Sequence, residues 1–168
     1  FHGMQLLFNK QNFNFQFDYI QDKQYHFYLT YEDSFFDASL ELKNISPSLY
    51  QRTYHSNHFS WNHYWSHIQE QRFKANYNYK GFDFFLNIGR LQNYLYLDDS
   101  ISWQQENEAI YQFKTTAAKK WNWRLLNAYH LLHYNWTSNV SVIRMPTYHF
   151  KSDFYIKSLL FHDAMLAK

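Results

Sequence analysis

The sequence predicts an all-β protein, an antiparallel up-and-down transmembrane β-barrel of about ten strands, with 1–168 forming a single barrel segment. Three observations carry that expectation. Apolar and polar residues alternate with period two along most of the chain, rings fill the apolar positions, and short connections alternate with long ones.

The period is clearest in "NFNFQFDYIQDKQYHFYLTYE", residues 12–32. Phe13, Phe15, Phe17 and Tyr19 share one parity, as do Tyr25, Phe27, Leu29 and Tyr31 after a polar gap. Asn14, Gln16, Asp18 and His26 take the other. At about 100° per residue a helix would scatter the first four to both sides, whereas a strand puts them on one face. "FFDASLELK", "RFKANYNY", "AIYQFKTTA" and "YHFKSDFYIK" repeat the pattern. Strands are expected at about 3–9, 12–20, 24–32, 35–43, 71–79, 82–96, 108–118, 123–136, 147–157 and 161–168. The segment 57–65 extends the fifth strand or forms its own hairpin, and no stretch reads as a helix.

Tight connections are expected at 32–34, 80–81, 119–122 and 158–160, and long ones at 44–70, 97–107 and 137–146. Such sorting is the layout of outer-membrane barrels, with short periplasmic turns and longer external loops. Trp123 and Trp136 bracket one expected strand of thirteen steps. At ~3.3 Å per step and ~40° of tilt it rises roughly 33 Å, enough to reach both interfaces of a ~25 Å apolar band. His130 breaks the apolar parity of that strand.

Composition narrows the classes. The 168 residues include 17 Phe, 16 Tyr and 6 Trp, with 3 Gly, 2 Pro and no Cys. That profile excludes a linker-like or disordered chain, a disulfide framework and any thiolate metal site. A net charge of +2 with no basic run argues against nucleic acid as a partner. Mean hydropathy of −0.65 does not argue for a soluble protein, because alternating faces cancel in any average. No apolar run approaches the ~20 residues of a spanning helix.

The longest non-alternating stretch, 44–70, contains "SPSLYQRTYHSNHFSWNHYW". It resembles the "putative porin" family of the Bacteroidetes outer membrane at Pro47, Ser56, Asn57, His58, Phe59 and Trp61. Asn62 and His63 depart from the usual order that follows the tryptophan. "LQNYLYLDD", 91–99, is similar to a second segment of that family. The resemblance implies a bacterial outer-membrane location in contact with outer-membrane lipids. It also implies that the chain is a piece of a larger barrel.

No other chemistry competes. His55, His58, His63 and His67 lack a supporting zinc frame, no nucleophile motif is present, and Asp98 and Asp99 read as solvated loop carboxylates. The expectation is therefore no enzyme activity, no cofactor and no metal. The function expected is passive passage of small polar solutes. The alternatives are a plugged structural or docking barrel serving other envelope proteins, and a soluble aromatic-rich sheet that binds carbohydrate. Lumen-facing candidates follow from the polar parity. Asp18, Glu32, Asp37 and Glu41 would form an acidic wall, with Lys43 the exception. Arg72, Lys74, Lys114, Lys151 and Lys157 would form a basic one, against Asp83 and Asp153; the alternative is that these charges pair locally in a wet interior.

Overall fold

The computed structural model describes residues 3–20, 22–56, 60–123 and 126–156, and the backbone of 158–160 and 165–167. Nine strands make one sheet, every neighbour antiparallel. They are β1 (Met4–Lys10), β2 (Phe13–Ile20), β3 (Gln24–Glu32), β4 (Phe36–Ile45), β7 (Ile68–Tyr79), β8 (Phe82–Gln92), β11 (Ile110–Trp123), β12 (Leu126–Thr137) and β13 (Tyr148–Ile156). Sequence order and spatial order coincide, so the sheet is an up-and-down meander. Between β4 and β7 lie α1 (Leu49–Arg52), β5 (Thr53–His55) and β6 (Ser60–Asn62). Between β8 and β11 lie β9 (Tyr94–Leu97) and β10 (Trp103–Glu106), and β14 (Ser158–Leu160) pairs with β15 (Met165–Ala167).

Register carries each parity across the whole sheet. One row runs from Phe8 through Phe15, Leu29, Leu40, Phe73, Ile88 and Phe113 to Trp136. The neighbouring row on the reverse face runs from Asn9 through Asn14, Thr30, Ser39, Lys74, Asn87 and Lys114 to Asn135. A one-residue slip at any pairing would mix the two sets, so the alternation specifies the register. Among the described residues no second layer covers the apolar face: Ile88 in a central strand is 46% exposed and Leu132 47%. Towards the long-loop end this face turns polar, with Asn44, Gln69, Gln71, Arg90 and Gln92 in register. The greasy surface is therefore a band. His130, on the apolar parity, is hydrogen-bonded across the pairing to the Ser152 hydroxyl at 2.9 Å.

The short connections β1–β2, β3–β4, β7–β8 and β11–β12 lie at one end, and the short β2–β3 connection lies at the other. Lys80 (φ 47°) and Gly81 (φ 70°) form a two-residue hairpin whose left-handed backbone matches strand twist. A Cβ at Gly81 would stand 3.2 Å from the Lys120 carbonyl, a tight approach that adds to the left-handed φ in favouring glycine there. The turns are staggered. Phe13, beside the first turn, registers through Tyr31, Ala38, Ala75 and Leu86 with Thr115, and Thr115 lies eight residues before Trp123 at the β11–β12 turn. Those eight residues at ~3.3 Å, over six strand spacings of ~4.8 Å, make the strands lean roughly 40° from the line of turns. Strands of a closed barrel tilt by about 35–45°.

Several boundaries differ from expectation. Residues 119–122 are not a turn: β11 continues to Trp123, which pairs with Leu126, so Trp123 does not begin the next strand. The alternation continues there, with Trp121 and Trp123 on the apolar parity, so the strand period runs on through the two lysines. The thirteen-step length check now belongs to β11. The strand expected at 82–96 divides at Asn93 (φ 57°), after which β9 leaves the sheet to pair with β10. Asn tolerates that left-handed conformation. Residues 158–160 form a strand rather than a turn. Of the strand expected at 161–168, β15 is described and the remainder lies outside the described residues. The one-turn α1 went unread because four residues are too few for a helical period.

Candidate functional site: the polar face and its long loops

The polar face carries an ionic cluster across β2, β3, β4 and β7. His26 Nε2 lies 3.0 Å from Glu41 Oε1, and Lys43 Nζ lies 2.7 Å from the same oxygen. Asp18 accepts from Gln16 at 2.6 Å and stands 4.0 Å from His26 Nδ1. Arg72 registers with Glu41 and places its guanidinium on Glu70. The supposed acidic wall thus contains cations, and Arg72 of the supposed basic wall sits among carboxylates. Asp37 accepts from Asn76, and Lys151 pairs with Asp153 at 2.9 Å. Glu32 is exposed beside the β3–β4 turn. Lys74 and Lys114 are half-buried and, among the described residues, have no ion pair. Lys157 lies outside the described residues.

One signal for these pairs was present in the sequence. Residues two apart in a strand share a face, and Gln16/Asp18, Glu41/Lys43, Glu70/Arg72 and Lys151/Asp153 are all spaced by two.

The long loops meet at the other end, where the short β2–β3 connection also lies and the Lys23 carbonyl accepts from Asn44. In residues 46–67, Ser48 caps α1 in a capping box with Gln51, next to the buried Pro47. β5 and β6 form the separate hairpin that was one of two options for this segment. Trp61 donates its indole N–H to the Tyr50 carbonyl and Trp65 to that of Gln51, each at 2.8 Å. Tyr54 stacks on Trp61 with centroids 4.7 Å apart. Ser56 is half-buried, while Asn57, His58 and Phe59 lie outside the described residues.

The loops are joined to one another. Gln105 Oε1 accepts from the Ser66 N–H at 3.0 Å, and its amide donates to the carbonyls of Ser66 and Asn93. Asn93 in turn donates to the His67 carbonyl at 2.9 Å. Asn139 donates to Glu106 and Arg144 pairs with Asp99, which ties 138–147 to the β9–β10 hairpin. Near this end the sheet also holds buried apolar side chains: Leu91 and Ile110 pair across β8 and β11, and Leu95 of β9 is buried as well.

A sequence model of the family described as "Putative porin" matches residues 2–168. The chain belongs to that family. No curated protein and no solved structure matches it.

In this porin-family chain the residue-by-residue resemblance falls on Pro47, Ser56 and Trp61 of the described loop, and on the segment around β9. Sequence reasoning missed the joints made by Asn93, Gln105, Glu106 and Asn139, because amide partners 12 to 39 residues apart leave no local pattern. Asp98 is better placed than a solvated loop carboxylate: it accepts from the Ser100 and Ser102 N–H groups at 2.9 Å and from Gln104 at 3.1 Å. The Ser102 backbone N–H, above the other donors, holds its pKa below the ordinary aspartate value.

Proposed function

We propose that the chain forms wall of an outer-membrane porin, with its aromatic face against lipid and its polar face towards a water-filled lumen that passes small polar solutes. One observation carries this reading: nine strands share an uncovered apolar face backed by a polar one. Soluble monomers rarely expose contiguous apolar patches beyond a few hundred Å², whereas lipid is the natural cover for a banded one. The strand lean and the gathering of the three long loops at one end support it, as does membership of a porin family. In lipid each unpaired backbone group costs several kcal/mol, so β1 and β13, the ends of the strand order, require pairing partners for the barrel to close.

A second reading has its own support. The hydrogen-bonded loops and the buried Leu91, Leu95 and Ile110 favour a covered mouth, and with it a plugged barrel that docks other envelope proteins. Swelling of proteoliposomes in sugar solutions separates the two. Size-dependent swelling supports the porin, and impermeable vesicles containing folded protein support the plugged barrel.

A further inference from the structure

We propose that Lys74 and Lys114 form a two-ammonium step for a small anion, a carboxylate or phosphate carried by the passing solute; the step rests on the porin reading above. The two lysines lie in one row of the polar face, on either side of Asn87, in register Lys74–Asn87–Lys114. One strand separates theirs, so their backbones stand about 10 Å apart. Both four-carbon stems therefore reach a common point above Asn87. The Asn87 amide adds N–H donors at that point, and the row continues on each side with neutral Ser39 and Asn135.

The surroundings single the pair out. The neighbouring carboxylates are engaged: Glu41 by His26 and Lys43, Glu70 by Arg72, and Asp37 by Asn76. Lys151 has Asp153, and Lys120 is exposed near the tight-turn end. Lys74 and Lys114 are the half-buried lysines of this face that keep their charge uncompensated among the described residues. Two like charges side by side produce a local positive potential, which a low-dielectric wall focuses into the lumen. A passing anion supplies the missing counter-charge, and two compact, mobile ammoniums hold it loosely enough to release it.

The test uses the protein folded into planar bilayers, with reversal potentials measured in a potassium chloride gradient and in sodium phosphate. The Lys74→Gln/Lys114→Gln double variant should lower the anion-to-cation permeability ratio by about tenfold, the effect of removing two unit charges near the ion in water. Lys120→Gln should leave the ratio unchanged. An unaltered ratio in a conducting double variant overturns the proposal and leaves the porin reading intact. Absence of current in the wild type removes the porin reading, and the site is then read by labelling. Pyridoxal 5′-phosphate trapped with borohydride should modify Lys74 and Lys114 ahead of the more exposed Lys120, with protection by inorganic phosphate. Labelling that simply follows exposure overturns the anion step whether or not the protein conducts.

Discussion

Phe27 and Tyr28 are adjacent in β3, and the membrane orientation proposed above assigns them opposite solvents. Phe27 lies on the apolar parity, in register with Phe17 and Leu42, and its ring meets Phe15 edge-on with centroids 5.3 Å apart. It is five residues from Glu32 at the tight-turn end, which at ~3.3 Å per residue and ~40° of lean puts it roughly 13 Å up, at the middle of a ~25 Å band. Phe27→Arg should therefore cost about 2–4 kcal/mol for a charge at the midplane, with about 0.5–1.5 kcal/mol more for the lost ring pair. Tyr28 faces Gln16 and Glu41 across its two pairings, so Tyr28→Arg places its guanidinium beside a carboxylate in the wet face. That change should cost under about 1 kcal/mol. Urea titration of protein folded in lipid vesicles reads both. At a slope of about 2 kcal/mol per molar, the Phe27 variant should lose about 1–3 M in midpoint and the Tyr28 variant little. Equal shifts, or a larger one at Tyr28, would refute the assignment of faces.

Other consequences concern the loops. Gln105→Ala removes three hydrogen bonds that join residues 46–67 to Asn93 and the β9–β10 hairpin. It should weaken local protection by about 1–3 kcal/mol, seen as faster amide exchange at Ser66 with β8 unchanged. Asp98 has its pKa lowered in the fold, so its contribution is fully present above the unfolded aspartate value and disappears as pH falls through the lowered one. Amide exchange at Ser100 and Ser102, corrected for intrinsic rates, should show protection lost in acid; Asp98→Asn should remove that pH dependence, and an identical profile in the variant counts against it. Arg52 and Arg144 are exposed in the long loops and Lys80 lies in a tight turn. Trypsin added to intact cells should cut after the two arginines and spare Lys80, and cleavage confined to Lys80 would invert the orientation.

The two faces were legible in the residues alone because side-chain direction in a strand has a period of two, a local property that each hexapeptide carries without knowledge of its neighbours. Phe13, Phe15 and Phe17 declare their face whatever strand they pair with. The same locality explains the tight turn at Lys80 and Gly81, where the sequence itself carries the glycine. The pairs spaced by two, such as Glu41 and Lys43, were legible too, but the cross-strand ones needed register. Whether Glu41 also meets His26 or lies beside Arg72 depends on strands 15 and 31 residues distant. Likewise, nothing near Lys74 or Lys114 marks them as neighbours, since they are 40 positions apart with a complete strand and its loop hairpin between them. The end of β11 at Trp123, the departure of β9 at Asn93 and the joining of the loops through Gln105 belong to the same class. They are settled by backbone and amide partners that only the assembled sheet brings within hydrogen-bonding distance, because hydrogen bonds fall off over a fraction of an ångström and the chain gives no sign of which distant groups will close that gap.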